Sequence, residues 1–173
     1  MIFLKLIQSF IKALHSEGTP GQVAAGIALG SILGLTPLMN PHNAVAFAAI
    51  VLLNVSFPGA MLGWALFIPV GFLLDPVSDR IGARLLLDTP ALVPLWTAIY
   101  NTPVLALFNF NNTVVLGSAV IALALQVPVF LASRWAVGRY RATVGERIRQ
   151  SRFYKALAAS KLYNLYRLFR PEG

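Results

Sequence analysis

Gly26-Ile-Ala-Leu-Gly30-Ser-Ile-Leu-Gly34-Leu-Thr36-Pro37-Leu-Met-Asn40-Pro41-His42-Asn43 holds a helix, a break and the start of a second helix in eighteen residues. It starts as an apolar helix with glycine at every fourth position. It then breaks on two prolines and a small polar cluster, and a second apolar run follows at once. Lipid cannot satisfy the backbone groups that such a break sets free. A broken helix inside an apolar region therefore has to be buried in protein or line a wet cavity.

The composition around this stretch fixes the class. Of the 173 residues, 57% are apolar and 12% are charged. A soluble domain carries about 25% charged residues. Half that share leaves too little polar surface to cover a globule, so the chain reads as an all-α integral membrane protein with one compact helical domain. The charges are also segregated. Residues 18–74 and 89–133 contain no Asp, Glu, Lys or Arg, and Asp75, Asp79, Arg80, Arg84 and Asp88 lie between them. Residues 1–133 are neutral in sum, so the net charge of +8 resides entirely in the last forty residues. The chain has no cysteine, which excludes disulfides, thiolate metal sites and cysteine nucleophiles. No secretory signal is expected, because polar residues recur through 1–16 and no small-x-small cleavage site follows.

Outward from the break, residues 1–16 read as an amphipathic interfacial helix with Lys5 and Lys12 toward headgroups. Short helices are expected over 22–35, 43–57 and 60–74, each thinner than a hydrocarbon core of about 30 Å. They are either three thin spans or a re-entrant hairpin, with its tip at 36–43, followed by one span. Residues 75–88 are expected as a central loop carrying a short surface helix, with Val77, Ile81 and Leu85 on one face. The second apolar region is interrupted at Pro94, at Asn101-Thr102-Pro103 and at 108–112. It ends in one strong span over 113–137 with a kink at Pro128 and Trp135 in an aromatic belt. Residues 139–173 form a basic amphipathic cytoplasmic tail, set apart from a membrane domain at 1–138. In the tail, Arg149, Arg152, Lys155, Lys161 and Arg167 are the expected contacts for anionic lipid headgroups. The apolar face beside a span favours lipid over nucleic acid, which is not expected as a partner.

The two halves, 19–74 and 89–137, share an order of features. Thr19-Pro20, Thr36-Pro37, Asn43 and Pro58 are answered by Thr89-Pro90, Thr102-Pro103, Asn112 and Pro128. This is the pattern of a duplicated membrane unit. The basic tail should be cytoplasmic, and the N-terminal lysines lean the same way. Both hold if the interrupted segments are re-entrant and only the helix ending near Leu74 and the 113–137 helix cross. The second half is then inverted relative to the first.

Several motifs carry a resemblance. Thr19-Pro-Gly-Gln-x-Ala-x-Gly26-Ile-Ala-Leu-Gly30-x-Ile-Leu-Gly34-Leu-Thr36-Pro37 continues in Trp64-Ala-Leu-Phe, Leu74-Asp75-Pro76, Pro94-Leu-Trp96-Thr-Ala-x-Tyr100-Asn101-Thr102-Pro103 and Phe110-Asn111-Asn112-Thr113-Val-Val-Leu-Gly117-Ser118. Together, over about residues 5–141, these resemble a small branch of the bacterial membrane-protein family known as domain of unknown function 2062. The resemblance implies membrane location and brings no activity with it. The chain departs from the family where many members place a glutamine after the Gly-x-x-Pro turn. Asn40, His42 and Asn43 stand there instead. It departs again at Ile68-Pro69, where many members have Asn-Pro.

The candidate polar site comprises Thr36, Asn40, His42 and Asn43, with Asn101, Thr102, Asn109, Asn111 and Asn112 as counterpart. One reading is helix capping. The other sets helix N-termini facing each other near mid-membrane, where their dipoles would attract an anionic substrate group. Gly26, Gly30 and Gly34 form a ridge for close helix packing, which makes Gly30 less tolerant of bulk than Gly117. No metal, no cofactor and no catalytic residue is expected. The functional expectation is transport or lipid handling in the bacterial inner membrane. The alternative is a non-catalytic anchor or assembly subunit that recruits a protein partner or a second copy of itself.

Overall fold

The computed structural model describes residues 18–145. The expected N-terminal helix and the tail contacts Arg149, Arg152, Lys155, Lys161 and Arg167 lie outside the described residues. The chain divides into two compact units, Met1–Val137 and Gly138–Gly173. The described elements are helices α1 (Pro20–Leu35), α2 (Pro41–Leu52), α3 (Phe57–Leu86), α4 (Val93–Tyr100), α5 (Pro103–Ala106) and α6 (Thr113–Tyr140). A 3₁₀ turn, Pro90–Leu92, precedes α4, and a π-helical turn, Arg141–Gly145, follows α6. Among the described residues there is no strand.

Local chemistry sets the helix starts. Thr19 caps α1 in a full capping box: its hydroxyl accepts from Gln22 N at 3.2 Å, and Gln22 Oε1 accepts from Thr19 N at 2.7 Å. Ser56 caps α3 by accepting from Gly59 N at 3.1 Å. Pro20, Pro41 and Pro58 occupy first-turn positions, where no N–H is needed.

The core is backbone packed on backbone. A methyl group on Gly34 would stand 2.7 Å from the Trp64 carbonyl oxygen, and one on Gly26 or Gly30 would collide with the Ser56 or Ala60 carbonyl. From the other side, a methyl group on Gly59 would lie 2.8 Å from Val23 O, while Gly63 faces Ile27 and Gly71 faces Gly34. The expected ridge thus meets a second glycine ridge. The order of these pairs makes α1 and α3 parallel, with α2 returning between them in sequence. Ser56 N donates to Gln22 O at 3.0 Å, so the α1–α2 excursion begins and ends at one level.

α6 runs antiparallel to α3. Gly82 lies against the Thr113 backbone and Gly117 against the Ser78 backbone. Gly117 is therefore as tightly enclosed as Gly30, and the expected difference between them is not present. Gln126 Nε2 reaches Ser31 Oγ at 3.4 Å and Ala122 O at 3.1 Å. Eleven residues, or roughly 16 Å of helix, separate Ser31 from Pro20 and Gln126 from Val137, so Pro20 and Val137 lie near one level.

Residues 75–88 are not a loop with its own surface helix. α3 continues unbroken through Pro69 and Pro76 to Leu86, a helix of 30 residues. Leu87 N closes onto Ala83 O and Thr89 Oγ1 onto Arg84 O, which ends it. The 60–74 span and the charged segment are one rod.

α3 and α6 are long and apolar enough to cross a membrane. Only 28% of the apolar stretch of each is buried within the protein, where a soluble core helix would be mostly buried. Phe72 and Leu73 on α3 and Leu123, Val127 and Leu131 on α6 are all exposed. Apolar surface of this kind marks a contact surface for a membrane or another protein.

Candidate functional site

The break after α1 is held by its own side chains. Thr36 Oγ1 lies 2.8 Å from Ile32 O and 2.7 Å from Asn43 Oδ1, with one hydroxyl proton between the two acceptors. Asn43 Nδ2 donates to Pro37 O at 2.8 Å and Leu38 O at 3.2 Å, and Asn40 Nδ2 donates to Pro37 O at 3.0 Å. Thr36 and Asn43 are both buried. Two prolines free backbone carbonyls here, and short amides three to six residues away take them up. Thr36 and Asn43 thus act as a staple for the turn.

Asn40 and His42, from the first cluster, reach across to the second half. Asn109 Nδ2 donates to Asn40 Oδ1 at 3.0 Å. The His42 ring stacks on Phe110, with centroids 6.2 Å apart and an interplanar angle of 13°. Asn109 adopts φ 55°, a left-handed conformation that asparagine tolerates better than most residues. Both His42 nitrogens are buried and lack a hydrogen-bond partner among the described residues.

The remaining polar residues are used locally or left open. Asn112 Oδ1 caps α6, accepting from Val114 N at 2.9 Å and Val115 N at 3.2 Å. Thr102 Oγ1 donates to Ala98 O at 2.8 Å. Asn101 and Asn111 are exposed, and their amides make no side-chain hydrogen bond among the described residues. The N-termini of α2 and α6 come together but do not face each other. Both helices run antiparallel to the α1–α3 pair, so the two N-termini lie side by side.

The level of this junction follows from the α3 register. The tip lies past Gly71, which contacts Gly34 and Leu35. Thr113, just after the Asn109–Phe110 contact, packs on Gly82 and donates to the Asp79 carboxylate. The junction is therefore level with the charged end of α3, not with its apolar middle.

A cavity of about 300 Å³ opens beside it, between the end of α3 and the α4–α5 hairpin. Leu86, Trp96, Tyr100 and Phe110 wall it, and Asn101 and Asn111 stand at its lining. Trp96 Nε1 donates to Leu85 O at 2.9 Å, which fixes α4 against α3. A second cavity, also about 300 Å³, lies where α1 ends against α3. Sequence reading has Trp96, Tyr100 and Phe110 as motif residues but does not place them in the candidate site. The signal available was four aromatics, Trp96, Tyr100, Phe108 and Phe110, gathered near broken helices, as at a membrane interface. It also passed over Gln126, the polar residue that ties α6 to Ser31.

The chain belongs to a family described as uncharacterized protein conserved in bacteria (DUF2062), whose model matches residues 5–144. It is 28% identical over 141 residues to an uncharacterized protein of Treponema pallidum (strain Nichols), a match that covers 80% of this chain and 85% of the relative. No solved structure matches it.

Proposed function

We propose that this is a multi-pass protein of the bacterial inner membrane that binds an amphipathic, lipid-class molecule at the leaflet opposite its basic tail. The apolar part of α3, residues 57–74, is about 27 Å long, close to a hydrocarbon core. α1 runs level with it, so the α1–α2 hairpin traverses most of the same thickness. The α4–α5 segment leaves and rejoins at the other end, near Leu86 and Thr113. The two excursions enter from opposite ends of the α3–α6 pair, which supports the inverted arrangement. It also supports placing both termini on one face, and the basic tail makes that face cytoplasmic.

The observation that carries the lipid reading is the cavity behind Trp96. Its walls are apolar and aromatic, it lies at the charged end of α3, and unengaged amides at Asn101 and Asn111 stand on it. Such a site suits an acyl chain with a neutral polar head better than a small ion. Binding here involves no catalytic step, no metal and no cofactor. Native mass spectrometry of the detergent-purified protein tests it. The wild type should carry one more co-purifying lipid than Ala106→Phe, which fills the cavity. An unchanged lipid count in that variant refutes the reading.

The anchor or assembly reading has one specific support. Thr36, Asn43, Thr102 and Asn112 bond to the turns and helix ends they sit in, as caps do, and leave no polar array for a solute. Cross-linking in intact cells that captures a defined protein at α2, with no lipid at the Trp96 cavity, would favour it.

A further inference from the structure

Asp75 is the carboxylate that lines the second cavity, the one where α1 ends against α3. Thr36, Pro37, Trp64, Gly71 and Phe72 share its lining, and no Lys, Arg or His does. Asp75 is half-buried and has no hydrogen bond or ion pair among the described residues. The last turn of α1 ends here, so its terminal carbonyls add partial negative charge. A carboxylate on the lining of an apolar groove offers a cation or donor a charge-assisted hydrogen bond. The lining also selects among cations. Calcium needs six to eight oxygens, and this groove offers one carboxylate among apolar and aromatic walls. An ammonium group suits a single carboxylate flanked by Trp and Phe.

We propose that this groove is a second lipid site, in which Asp75 receives the primary ammonium of an amine-bearing headgroup while Trp64, Ile68 and Phe72 take the start of the acyl chain. It rests on the membrane reading above but not on the Trp96 cavity. The level is right for a headgroup: Asp75 is the first charge after the apolar part of α3.

The test uses the full chain with Arg149, Arg152, Lys155 and Lys161 changed to Gln, so that the tail does not draw anionic lipid, and this chain is the wild type for the comparison. It is titrated in detergent with short-chain phosphatidylethanolamine or phosphatidylglycerol, and adducts are counted by native mass spectrometry. Phosphatidylethanolamine should bind about tenfold more tightly, the scale of one charge-assisted contact. Asp75→Asn should bring the two lipids within about twofold, and Asp75→Glu, which keeps the charge, should retain the preference. Ala106→Phe should leave it unchanged, which separates this site from the other. An unchanged elution profile shows that Asp75→Asn still folds. The proposal is overturned if the wild type shows no preference, or if the preference survives Asp75→Asn. It is equally overturned if sodium or calcium chloride alone binds in an Asp75-dependent way while phosphatidylethanolamine does not.

Discussion

At the scale of the residue, glycine and asparagine carry this molecule, and for different reasons. Gly30 and Gly117 each face a carbonyl of α3, so neither has room for a side chain. Gly30→Leu and Gly117→Leu should both lose about 1–3 kcal/mol or more through overpacking. Gly138, where an added methyl group would meet nothing within 4 Å, should tolerate the same change. Folded yield in detergent measures all three, and a normal yield for either enclosed glycine would remove the close-packing argument. Asn43 holds two carbonyls and the Thr36 hydroxyl in a buried turn. Asn43→Ala should cost about 1–3 kcal/mol by leaving those groups unsatisfied, read as a lower melting temperature. Spacing revealed the first ridge in sequence, because small residues at every fourth position mark one helix face. It did not reveal Gly59, Gly63 and Gly82 as partners, since which backbone approaches which is a tertiary fact.

At the scale of the element, the junction between the hairpins makes a direct prediction. Asn40 and Asn109 touch although 69 positions apart. The chain has no cysteine, so Asn40→Cys with Asn109→Cys should cross-link with a short bifunctional reagent in membranes. Asn40→Cys with Asn101→Cys should do so far less. Equal yields would dissolve the junction. The elements themselves were mostly legible. The breaks at 36–40 and 101–102 and the long helix from Thr113 all follow from proline placement and apolar length. The error at 75–88 has a physical cause. Charge normally marks the end of a span, but a helix needs no hydrocarbon to continue, and α3 simply emerges from the apolar zone. The candidate site was legible as a set of residue types, not as a constellation. Asparagines at breaks announce either caps or a binding site, and only the hydrogen bonds separate the two.

At the scale of the whole molecule, charge asymmetry predicts orientation. Cysteines introduced near residues 3 and 172 should both be protected from an impermeant maleimide in intact cells, and one at Asp88→Cys should react. An N-terminus labelled from outside would require an odd number of crossings and would refute the arrangement. The tail makes its own prediction. Replacing Arg149, Arg152, Lys155 and Lys161 by Gln in the full chain should reduce retention of anionic lipid, by about 1 kcal/mol for each residue near the surface. Unchanged lipid retention would turn attention to a protein partner for the tail.

The parallel pairing of α1 and α3 also bears on how the chain is made. α1 leaves the ribosome first, yet its glycine ridge has no full partner until Gly71 has been synthesised, about 36 residues later. At about 5–20 residues per second, that is an interval of a few seconds. On the proposed membrane reading, a short, glycine-rich helix waits beside the insertion machinery during it, with α2 as its neighbour among the described elements. Nascent chains stalled after Leu52 should therefore remain extractable from the membrane by alkali, whereas those stalled well beyond Leu86 should resist. On that membrane reading, insertion is then a delayed, pairwise event, timed by translation rather than by the hydrophobicity of each segment in turn.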